Sequence, residues 1–148
     1  MIAPIFSAAP TMLDPDTGTR VWLFDEVTTM VDQTLGPMSA GVGRFLTGPV
    51  EAELQRRWIS AGKKVRFIHD WRSCSTYETE ARNLILEWGR QSKAHSQQVV
   101  IQLAPDASPF VKIAASTGVS LLKAARMPID LVDDLTPFIT ELSALAPR

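Results

Sequence analysis

A single cysteine, Cys74, among 148 residues leaves no internal disulfide and points to a reducing compartment. Only two histidines accompany it, His69 and His95, so no His/Cys metal cluster can be assembled, and no metal or cofactor is expected. Glycine is sparse in pattern: Gly36, Gly41, Gly43 and Gly48 match neither a phosphate-cradling loop nor a dinucleotide fingerprint. The net charge is −1, which lacks the basic excess that nucleic-acid binding requires. No apolar run approaches the ~20 residues that span a bilayer. The N-terminal stretch MIAPIFSAAPTML lacks a basic lead and is broken by Pro4 and Pro10. It reads as a tail or edge strand, covering residues 1–18, and not as a signal peptide. A cytoplasmic protein is expected.

What remains is an ordinary globular composition, 45% apolar and 21% charged, sized for one core. Arg20 to Phe24 (RVWLF) is rich in the aromatic and β-branched residues that suit a strand, and Asp25-Glu26 turns it toward a second strand over Val27 to Asp32. Ser39 can cap a helical segment from Ala40 to Ala61, kinked or split at Gly48-Pro49, with Gly62 as its terminal glycine. Val65, Phe67 and Ile68 open a central strand that delivers Asp70 to a polar loop. Ser75-x-x-Glu78 forms a capping box, so a helix is expected from about Thr76, with Tyr77, Ala81, Leu84, Ile85 and Trp88 on its apolar stripe. Val99 to Leu103 reads as a buried strand. A helix with Pro109 at its first turn ends at Gly118, and Leu121 to Met127 is left open between helix and strand. Ile129 to Val132 is a short strand, and Leu135 to Leu145 a closing amphipathic helix. Strands paired locally and then alternating with helices predict an α/β domain over residues 19–148. Its mixed sheet should have four to five strands, with about four helices covering at least one face.

This order of elements resembles the STAS family, the anti-sigma-factor-antagonist and sulfate-transporter domain, and more closely its divergent bacterial STAS-like members. The resemblance runs from Arg20 to Leu145 and rests on the hairpin, the strand VRFIHD, the helix TYETEARNLILEW, the strand VVIQL and the break at Ala107-Ser108-Pro109. Asp70-Trp71, Tyr77, Ala81-Arg82 and Glu87-Trp88 carry the likeness to the bacterial members. It implies a non-enzymatic signalling domain that regulates a partner protein, such as a kinase, sensor or other regulator, through the loop and helix after the central strand. Laid on the family's Asp-Ser-Ser-Gly pattern, the chain offers Glu78-Thr79-Glu80-Ala81, which puts Thr79 at the phosphoacceptor position. The flanking carboxylates of Glu78 and Glu80 would repel an added phosphate, whereas the helix start would favour it by ~0.3–1 kcal/mol. STAS-like proteins also resemble the CRAL-TRIO lipid-carrier fold, which makes a small-molecule or lipid-binding module the alternative.

The expected partner-binding surface comprises Asp70, Trp71, Arg72, Ser73, Ser75, Tyr77 and Thr79. Asp70 could instead accept bonds within its own loop. Trp71 beside Arg72 has hot-spot composition if exposed, and a ring folded over the core is the other reading. His69 and Cys74 invite a nucleophile mechanism. However, His69 and Asp70 are adjacent on a strand, so their side chains point to opposite faces and do not form an orienting pair. Leu135, Phe138, Ile139 and Leu142 make an apolar strip that a homodimer or the core would use equally well.

Overall fold

In the computed structural model, which describes residues 2–148, the strand-forming runs join one six-stranded sheet. β1 (Met12–Leu13), β2 (Arg20–Phe24) and β3 (Thr29–Gln33) are antiparallel neighbours. β4 (Val65–Trp71), β5 (Ser96–Leu103) and β6 (Ile129–Leu131) extend the sheet in parallel, so spatial order equals chain order. The fold is α/β with a mixed sheet, as the pattern implied. It has one strand more than expected, because the N-terminal stretch contributes β1. The hairpin also differs locally. Residues Asp25–Val27 form a 3-10 turn closed by Thr28 in the left-handed region (φ 46°), which delays the second strand to Thr29.

The helices start where side chains satisfy their first amides. α1 (Ala40–Phe45) is capped by Ser39, whose Oγ accepts from the Val42 N–H at 3.3 Å. A wider turn, Leu46–Val50, joins it to α2 (Glu51–Arg57). Bonds spanning five residues instead of four step around the N–H that Pro49 lacks, so the segment bulges where a kink or a split was expected. α3 (Thr79–Ser92) begins later than the capping box predicts. Residues 76–78 spend their backbone groups on Met38: the Met38 N–H donates to the Thr76 carbonyl and the Glu78 N–H to the Met38 carbonyl. The Glu78 carboxylate meanwhile accepts from the Ala40 N–H at 2.7 Å, capping α1 instead of closing a box on its own helix.

α4 (Pro109–Ala124) opens as expected, with Ser108 Oγ accepting from the Val111 N–H, but it runs through Gly118 instead of stopping there. The glycine faces α3 without being required there: a Cβ at position 118 would make only an ordinary contact, 3.4 Å, with the Leu86 side chain. Leu121 to Ala124 therefore continue the helix, and α5 (Thr136–Ser143) closes the described chain.

Both faces of the sheet are covered. On the inner face, Val65, Phe67 and Trp71 of β4 pack with Leu46, Leu54, Trp88, Val119 and Leu122 from the helices. On the outer face, Trp22, Phe24, Val31, Ile68 and Val100 pack with Phe6, Leu135 and Leu142. The apolar strip of α5 thus faces the sheet: Leu135 and Leu142 are buried, and Phe138 and Ile139 partly so. The N-terminal segment completes this layer. Phe6 stands edge-on to Trp22 and to Phe24, each with ring centroids 5.2 Å apart. The carbonyls of Ile2, Ala3 and Ala8 accept from Arg20, Gln33 and the Trp22 indole at 2.9–3.0 Å. Among the described residues no helix is long and apolar enough to cross a membrane.

Candidate functional site

Alternation along β4 sends His69 and Trp71 to the inner face and Asp70 to the outer. The orienting acid that Asp70 cannot supply comes from the neighbouring strand. Asp32 on β3 lies in register beside His69, so the two side chains leave the sheet on the same side. Asp32 is fully buried. Its Oδ2 is bonded to His69 Nδ1, and its Oδ1 accepts from the Trp71 indole N–H at 2.9 Å. A carboxylate in the interior is tolerated only when its oxygens are occupied in this way. Because Oδ2 is an acceptor, it fixes the proton on Nδ1 and leaves Nε2 as the outward nitrogen, which has no protein partner among the described residues.

His69 sits in an aromatic setting. Its ring centroid is 4.9 Å from Trp71 and 6.1 Å from Trp88, and Phe67 meets Trp88 edge-on at 5.6 Å. These rings form one wall of a cavity of about 70 Å³ between the sheet and helices α3 and α4. Val99, Ile101, Val119 and Leu122 add aliphatic walls, and the exposed Arg82 stands at the mouth. Tyr77 and Ser92 also line the cavity, and their Oη and Oγ atoms are buried without a hydrogen-bond partner. Native interiors leave few such atoms, and those they leave call for a partner. Desolvation pushes the Tyr77 phenol well above its ordinary pKa, so it is a neutral hydroxyl.

The residues expected at a partner surface divide between interior and exterior. Asp70 is buried on the outer face, where Arg72 grips it through Nε at 2.8 Å and Nη2 at 2.9 Å. The Arg72 N–H also donates to it at 3.3 Å, so the acid does accept bonds within its own loop. The bonded carboxylate holds the Arg72 guanidinium above its ordinary pKa. Trp71 is buried with its ring inside, and Tyr77 is partly buried. Arg72, Ser75 and Thr79 are exposed and Ser73 half-buried. Thr79 is the first residue of α3, and the neighbouring Glu80 pairs with Arg44 at 3.0 Å.

Cys74 is not brought to His69. Its Sγ lies 3.2 Å from Thr34 Oγ1, and burial pushes the thiol up to about 12, far from a reactive thiolate at neutral pH. Among the described residues no group of three His, Cys, Asp or Glu side chains is placed to hold a metal ion. The arrangement offers one oriented imidazole, one neutral phenol and an apolar chamber beside them. Sequence reasoning missed Asp32. The only local trace was an acid at the end of a strand-forming run, Val27 to Asp32; that its strand is buried throughout is visible only in the structure. Compared with protein-family models, curated proteins and solved structures, the chain gives no match.

Proposed function

We propose that this chain is a STAS-like, non-catalytic binding module in which a small ligand held beneath α3 and α4 governs how the β4–α3 loop is presented to a regulated protein partner. The observation that carries the reading is that the loop is anchored at both ends in the cavity wall, by Trp71 before it and Tyr77 within it. Between those anchors, Arg72 and Ser75 are exposed and face solvent as a contact surface would. A ligand that moves either ring moves the loop, and a modification adding charge at Thr79 would act on the same surface. The STAS-like assignment rests on the order of elements. The size of the chamber favours a small molecule over a lipid, since about 70 Å³ is well below the ~300–1,000 Å³ of pockets that take larger ligands.

The coupling is testable without knowing ligand or partner. Ala115, on the cavity wall contributed by α4, is replaced by Phe to fill the chamber. Amide hydrogen exchange is then compared with the parent protein. The reading expects exchange across residues 72–79 to change several-fold, with β2 and β3 unaffected. Unchanged exchange in the loop, with the chamber shown to be filled, would overturn it.

A further inference from the structure

Resting on the ligand-binding reading above, we infer that the chamber between β4, β5 and helices α3 and α4 takes a short-chain monocarboxylic acid, with its carboxyl toward His69, Tyr77 and Arg82. Four observations converge on this chemistry. The walls are apolar over Phe67, Trp88, Val99, Ile101, Val119 and Leu122, so most of the ligand is hydrocarbon. Its volume of about 70 Å³ is roughly half that of a cavity that holds benzene, which limits the enclosed part to about four or five non-hydrogen atoms.

The polar groups are specific in kind. Asp32 fixes the proton on His69 Nδ1, so Nε2 offers a lone pair to a donor. Tyr77 Oη is buried, unpartnered and neutral, so its O–H is free to donate. A carboxyl group supplies both complements, an O–H for Nε2 and a carbonyl for Oη. One alcohol hydroxyl could donate to Nε2 and accept from Oη at once, but it carries no charge to pair with Arg82, and an alkylammonium offers no acceptor to the phenol. Arg82 supplies the last element: it stands at the mouth and makes no ion pair among the described residues. An anion entering there meets a guanidinium with no competing carboxylate.

The experiment titrates the whole chain with sodium butyrate, 1-butanol and n-butylammonium chloride at one pH and ionic strength. Tryptophan fluorescence and methyl NMR of Ile101, Val119 and Leu122 report occupancy. Saturable butyrate binding is expected, with 1-butanol at least tenfold weaker and butylammonium silent. Arg82→Ala, at an exposed position, and Tyr77→Phe, which keeps the ring, should each weaken butyrate at least fivefold while circular dichroism stays unchanged. Butanol binding as tightly as butyrate, or butyrate indifferent to Arg82→Ala, would sink the carboxylate assignment while leaving a ligand chamber intact. Failure of every probe, with only water exchanging into the chamber, would overturn the chamber reading itself.

Discussion

Replacing Asp32 by Ala removes the acceptor of two buried donors, the Trp71 indole N–H and His69 Nδ1–H. A buried donor stripped of its partner costs about 1–3 kcal/mol. His69 has an escape, because moving its proton to Nε2 points the N–H into the chamber. The indole has none. The expected loss is therefore about 3 kcal/mol, a large share of the ~5–15 kcal/mol that holds a domain of this size folded. Asp32→Asn separates the hydrogen-bond contribution from the volume. Its amide oxygen still accepts from Trp71, and its N–H donates to the other tautomer of His69, so the loss should be nearer 1 kcal/mol. Urea unfolding followed by tryptophan fluorescence and far-ultraviolet circular dichroism measures both. With a slope of about 1–3 kcal/mol per molar urea, Asp32→Ala should lower the midpoint by at least 1 M. Nitrogen NMR of His69 should show the proton on Nδ1 in the parent and on Nε2 in Asp32→Asn. A loss below 1 kcal/mol for the alanine variant, or an unswitched tautomer in the asparagine one, would refute the reasoning.

Cys74 should resist an aromatic disulfide reagent at pH 8 in the native protein and react fully in 6 M guanidinium. Its thiol is raised by burial from 9.0 to about 12, so this contribution to stability is complete below pH 9 and is lost as pH rises toward 12. Cys74→Ala should flatten that alkaline loss in pH-dependent unfolding. Glu53 is held near 2 by its bonds to Arg56 and then Arg57, which stabilises the fold above pH 4.5 and fades as pH falls toward 2. Because the pair lies at the surface, with Arg56 largely exposed, the contribution is at most about 1 kcal/mol, so Glu53→Gln should differ from the parent at pH 7 and converge with it at pH 2 in thermal melts. Phe6→Ala should cost about 3 kcal/mol in urea titrations, because it uncovers Trp22 and Phe24. Gly118→Ala, with only an ordinary contact at 3.4 Å, should raise the melting temperature through helix propensity of about 1 kcal/mol. Gly89→Ala meets the Leu122 side chain at 3.0 Å and should gain little or lose stability.

Local patterns were readable wherever the chain's own period decides the outcome. The run from Val65 to Asp70, the stripe through Ala81, Ile85 and Trp88, and the helix opening at Ser108-Pro109 all belong to this class, although the strand runs one residue further, to Trp71. The same alternation that separates His69 from Asp70 places Trp71 beside His69, so the interior position of the indole was implicit in the spacing. Asp32 was out of reach because its meaning depends on which residue of another strand lies opposite, a register that no local window contains. The late start of α3 has the same origin, since Glu78 caps a helix that begins at Ala40. Pro4 and Pro10 left the N-terminal stretch readable only as a tail or an edge strand, and β1 at the sheet edge answers to the second reading. Ile5 and Phe6 between the prolines were the only trace of a segment that covers the outer face.

The sheet is laid down in the order of synthesis, each strand pairing with the one before it. A nascent chain emerging from a ribosome can therefore accrete this sheet strand by strand, always adding to a finished edge and never threading into the middle. The outer layer breaks that order. Phe6 emerges before any of the six strands and must wait for Leu135 and Leu142 before its side of the sheet is sealed. During that interval Trp22, Phe24 and Ile68 present an uncovered apolar face, the interval in which a holding chaperone would have most to protect.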